Sequence, residues 1–92
     1  MAVLSFNTLS YANDHEVLVA RNELGTRITL TNHDCHIKEL KGSKIAVTSD
    51  TIKQVFGCWF KYNGKIYAAW FYEGNVYKEE YDPSVFVTEK LL

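Results

Sequence analysis

With 92 residues, ten basic and eleven acidic side chains and a formal charge of -1, the chain has room for one compact domain, 1–92, built on one modest core. Balanced charge argues against the positive field with which non-specific nucleic-acid binders neutralise phosphates, and equally against an acidic DNA mimic. The opening "MAVLSFNTLSY" breaks its apolar run at Ser5, too short and too polar for a secretory signal or a spanning helix, so a cytoplasmic chain with no membrane partner is expected.

In chain order, the first predicted strand is Ala2 to Phe6, reaching toward Tyr11, followed by a turn at "ANDH". Glu16 to Arg21 and Thr26 to Thr31 flank "NELG", where Gly25 can take the positive φ of a hairpin turn. Ile28 and Leu30 then face one way and Arg27, Thr29 and Thr31 the other. "KGSK" and "TSD" bracket a short strand, Ile45 to Thr48.

"KYNGKIY" is the strongest local signal, because Asn-Gly between aromatic strands favours a two-residue turn whose twist matches theirs. With Asn63 and Gly64 as the loop, Tyr62 pairs with Lys65, Phe60 with Tyr67, Trp59 with Ala68 and Cys58 with Ala69. One face then carries Cys58, Phe60, Tyr62, Tyr67, Ala69 and Phe71; the other carries Trp59, Lys61, Ile66, Ala68 and Trp70. A second loop at Gly74 and Asn75 sets Tyr72 against Tyr77 and Trp70 against Glu79. In "YDPSVF", Pro83 ends the last strand and lets Val85 and Phe86 plug one end of the core.

These signals predict a mainly β fold: a small antiparallel meander, running from Ile52 to Tyr81, that forms a barrel or sandwich with at most one short helical turn. Both faces of the meander are apolar. Either a second layer covers the second face, or an aromatic patch is exposed.

The run "ITLTNHDC", the "GCW" at 57–59, "NGKIYAAWFYEGNVY" and the closing "DPSVF" together resemble a family of short, largely uncharacterised proteins of bacteriophages, prophages and proteobacteria. The resemblance implies a phage or mobile-element accessory protein, with Cys35 and Cys58 as the matching cysteine pair. The resemblance also implies that many relatives carry a secretory leader not seen in the present sequence, and the family supplies no catalytic residues.

Three chemistries compete for "TNHDCHIKEL". Zinc could draw on His33, Cys35, His36 and Cys58, but neighbouring positions on a strand point to opposite faces, and the closely repeated ligand pairs of strong zinc motifs are missing. A thiol nucleophile finds histidines only as sequence neighbours, with no oxyanion site marked nearby. The remaining reading is structural. Cys35 and Cys58 form either a disulfide staple or two free buried thiols, and His33 and His36 are solvated turn residues.

No enzyme, metal or cofactor is therefore expected. The predicted activity is protein binding, with Trp59, Trp70, Tyr72, Tyr77, His33 and His36 as contact residues and a host or defence-system protein as partner. An edge strand offers a second contact, a homodimer with another copy of the chain. The alternatives are a single-stranded nucleic-acid module, which the interleaved aromatics and lysines suggest and the charge balance disfavours, and a small zinc-binding protein.

Overall fold

The computed structural model describes residues 16–90. The strand expected over Ala2 to Phe6 and the turn at 12–15 lie outside them. Seven strands follow one another: β1 (Glu16–Arg21), β2 (Arg27–Asp34), β3 (Lys44–Ser49), β4 (Gln54–Tyr62), β5 (Lys65–Tyr72), β6 (Asn75–Tyr81) and β7 (Val87–Lys90). All pairings are antiparallel, in one sheet of order β6-β5-β4-β3-β2-β1-β7. The mainly β antiparallel fold is thus present, as a single sheet, and a two-sheet sandwich is not formed by the described residues.

The sheet must curl. Lying flat, its edge strands β6 and β7 would be separated by six inter-strand spacings, roughly 29 Å. Yet only the segment 82–86 joins them, and from Tyr81 to Val87 an extended chain reaches about 20 Å at most. Curling brings the ends together into a barrel-like cup whose edges do not pair among the described residues. Phe86 closes the gap from inside, edge-to-face on Tyr81 with ring centroids 5.8 Å apart.

The hairpin at Asn63-Gly64 has the predicted register, from Tyr62 opposite Lys65 to Phe56 opposite Phe71. The next loop differs from expectation: Glu73 and Gly74 form it, Tyr72 lies opposite Asn75, and Trp70 lies opposite Tyr77. The backbone explains the difference. A two-residue turn of this hand needs positive φ at both positions; Asn63 (51°) and Gly64 (77°) meet this, and Glu73 (51°) and Gly74 (80°) repeat it. Glycine thus takes the second position in both loops. The slip is even, so every side chain keeps its expected face.

Two 3-10 turns, Lys38–Leu40 and Pro83–Val85, are present where at most one was expected. In the second, the Asp82 side chain accepts from the Ser84 N–H while Pro83 occupies the first position, where a missing N–H costs nothing. Phe86 is buried after this turn as predicted, but Val85 is exposed and plugs nothing. The chain then re-enters the sheet as β7, a strand too short to stand out in the sequence.

The concave face holds the main core cluster: Leu30, Ala46, Trp59, Ile66, Ala68, Trp70 and Phe86, flanked by Leu18, Ala20, Ile28, Val55 and Tyr81; Val17, Val19 and Cys58, on the opposite face, are also buried. Large rings lie over small neighbours, with Trp70 opposite Gly57 and Trp59 opposite Ala68, which lets two tryptophans share one face at interior density. Trp70 Nε1 donates to the Tyr81 hydroxyl at 3.3 Å. Burial pushes the Tyr81 phenol above its ordinary pKa, against the opposing effect of that hydrogen bond.

Candidate functional site

Alternation on β3 to β6 places a second apolar set on the convex face. Val47, Phe56, Phe71 and Val76 lie opposite one another across four strands and form a continuous cross-strand row. Alongside it, Phe60 and Tyr67 stack with centroids 5.5 Å apart. Much of this surface is open to solvent: Phe56 is 56% exposed, Phe60 43% and Tyr62 61%.

The "TNHDCHIKEL" segment builds one wall above it. Between Leu30 opposite Ala46 and Asp34 opposite Lys44, the residues Thr31, Asn32 and His33 face Ile45 alone, so β2 bulges outward. The bulge is held by specific bonds. The Thr31 hydroxyl donates to the Ile45 carbonyl at 2.9 Å and accepts from the His33 N–H at 3.2 Å. Trp59 Nε1 reaches from the core to donate to the Thr31 carbonyl at 2.9 Å.

Beyond the bulge, Cys35 N–H donates to the Ser43 carbonyl at 3.0 Å and closes the base of a loop that contains the first 3-10 turn. Ser43, buried, donates its hydroxyl to the Leu40 carbonyl at 2.6 Å. A disulfide joins Cys35 to Cys58, with Cα atoms 5.7 Å apart. Cys58 projects from the same face as Phe60, so the bond fastens the loop onto the convex side of the sheet.

The result is a hollow of about 450 Å³ lined by Leu40, Phe60, Tyr67, Ala69, Lys78 and Glu80, among others. Its floor is apolar, and Lys78, Glu79 and Glu80 of β6 stand along its rim. Near the loop, Lys44 Nζ lies 2.8 Å from Asp34 and holds that carboxyl below its ordinary pKa, with a smaller contribution from His36 and His33. Among the described residues, no three His, Cys, Asp or Glu side chains gather closely enough to hold a metal ion.

The expected contact residues are divided by this geometry. Trp59 and Trp70 are 2% and 5% exposed, so their rings are packing residues of the core and offer no surface for the contact expected of them. Tyr72, half-buried, holds Lys53 Nζ 4.5 Å from its ring centroid, and Tyr77 is exposed on the edge strand β6. His33 and His36 are both exposed, His33 within the β2 bulge and His36 in the fastened loop.

Sequence reasoning missed Phe56, Val76 and Leu40. Its two faces were written correctly, but which one turned inward was not decided. One signal was available: the small residues Ala46, Gly57 and Ala68 share the tryptophan face, and alternating large and small side chains mark an interdigitated interior.

Comparisons with family models, with curated proteins and with solved structures return no match for this chain.

Proposed function

We propose that the protein is a non-enzymatic binding module that docks another protein on its convex aromatic face, at the hollow between Leu40, Phe60 and Tyr67 and the adjoining row through Phe56 and Val76. The observation that carries this reading is the exposure of Phe56, Phe60 and Tyr62 on the face opposite the tryptophan core, on a strand whose inward side is fully packed. Contiguous apolar surface of this kind costs solubility, and aromatic anchors are the residues that dominate protein interfaces.

Lys78 and Glu80 at the rim add polar contacts of both signs, which suits a protein surface better than a phosphate track. The resemblance described above supports a mobile-element setting, in which a host or defence-system protein is the partner class. The test is capture from a bacterial lysate with the wild-type chain, the double variant Phe56→Ala/Phe60→Ala and the control Leu24→Ala, an exposed residue at a distant hairpin tip. A partner retained by wild type and control but lost by the double variant supports the reading. Equal capture by all three overturns it, as does binding to labelled single-stranded oligonucleotides that weakens with salt and requires the same phenylalanines.

A further inference from the structure

Among the described residues the strand β6 is a sheet edge over its whole length, and six of its seven residues are exposed. Because the Glu73-Gly74 loop closes on the pair Tyr72 and Asn75, the inward ladder bonds of β6 come from Asn75, Tyr77, Glu79 and Tyr81. The N–H and C=O groups of Val76, Lys78 and Glu80 therefore point outward, available to another strand. Charges of a single sign on such an edge would repel every copy of itself. Here the sign alternates on one face: Lys78 and Glu80 are two positions apart and share the convex side with Phe71 and Tyr67.

We infer that β6 pairs antiparallel with β6 of a second copy about a two-fold axis at Glu79, so that Lys78 of each chain lies opposite Glu80 of the other. Charge complementarity selects this register. Antiparallel pairing about a two-fold axis keeps each side chain on its own face, so only registers centred on a residue are available. Centring on Lys78 sets lysine against lysine and Val76 against Glu80. Centring on Glu80 sets glutamate against glutamate at the hydrogen-bonded centre, and its Lys78 pairs fall on Asp82, beyond the end of the strand, whose carboxylate already accepts from the Ser84 N–H. Centring on Tyr77 forms no charge pair across the interface.

With the axis at Glu79, two opposite-charge pairs form, and Tyr77 of each copy lies across from Tyr81 of the other. The unfavourable pairs are Glu79 with itself, in the middle, and Val76 with Asp82 at each end, beyond the strand proper. Lys78 has no ion-pair partner among the described residues, and Glu80 lies 3.9 Å from Lys65 in an exposed pair. Both charges can therefore serve the new contact. The two convex faces then continue into one surface across the dimer, doubling the area presented to a partner.

The experiment is sedimentation equilibrium over a concentration series with the full chain, the single variants Lys78→Glu and Glu80→Lys, and the swap Lys78→Glu/Glu80→Lys. Circular dichroism melts verify that each variant is folded. The expected result is a concentration-dependent dimer for wild type, association weakened about tenfold or more in either single variant, and recovery in the swap. A wild-type chain that stays monomeric overturns the inference. So does a dimer indifferent to the single variants, or a swap that fails to recover. A dimer abolished by Phe56→Ala/Phe60→Ala while indifferent to the charge variants would place self-association on the convex face and remove it from the edge.

Discussion

Gly57 lies directly opposite Trp70 across the β4–β5 ladder, and a Cβ built on Gly57 would sit 2.8 Å from Trp70 Cε3 and would run into the Ala69 carbonyl oxygen. Absence of a side chain is what lets the indole lie flat on the sheet and complete the core. Gly57→Ala forces either the ladder or the ring to move, at an expected cost of about 1–3 kcal/mol. For a domain of this size each kcal/mol lowers Tm by roughly 4–8 °C. A tryptophan-fluorescence melt superimposable on wild type would contradict the packing described.

Removing the disulfide with Cys35→Ser/Cys58→Ser opens a loop defined by a sequence separation of 23 residues. Loop-closure entropy predicts a loss of roughly 3 kcal/mol. The same variant should free the Leu40 wall from the convex face and weaken partner capture without altering the core. Intact mass under non-reducing and reducing conditions reports the bond, and thermal melts in both conditions report its contribution. A melt unaffected by reductant, from a chain whose mass shows the bond, would remove the staple from the stability account.

The Glu73-Gly74 turn carries a glutamate at a φ of 51°, a region costly for an ordinary side chain. Asparagine tolerates it better and already serves at Asn63 in the sister hairpin. Glu73→Asn should therefore stabilise by about 1 kcal/mol, while Asn63→Ala should destabilise by a similar amount. Urea unfolding midpoints for the two variants should move in opposite directions; a shared direction would refute the turn geometry.

Stability should fall in acid. Asp50 accepts from the Ile52 and Lys53 N–H groups at 2.7 and 2.9 Å, and Asp82 from the Ser84 N–H at 2.9 Å. These bonds hold both carboxyls below the ordinary range. Ion pairing does the same for Glu89 beside Arg21 and for Asp34 beside Lys44. A carboxyl with a depressed folded pKa contributes stability that is fully present above its unfolded pKa of about 4 and is lost as pH falls through the folded value. Denaturation midpoints measured from about pH 6 down to about pH 2 should therefore decline below about pH 4. Asp50→Asn/Asp82→Asn should flatten that decline, and an unchanged slope would assign the acid sensitivity elsewhere.

Local chemistry wrote much of this molecule into its residues. Asn63-Gly64 set the register of β4 against β5, Gly25 marked the first hairpin, and Pro83 marked the end of β6, because each acts on the backbone within a few residues. The alternation of β4 and β5 separated the Trp59 face from the Phe60 face for the same reason, since side chains of a strand alternate regardless of what covers them.

Which face became the interior was a different matter. Both were apolar, and the choice depended on the curl of the sheet, on Phe86 entering from the far edge, and on the small residues Ala46, Gly57 and Ala68 making room for two indoles. The pairing of β7 with β1 and the fastening of the 35–43 loop over Phe60 likewise depend on contacts between residues distant in sequence. Tertiary structure alone decided these, because burial is settled by the sum of contacts across the whole sheet, whereas turns and alternation are settled by the chain's own covalent geometry.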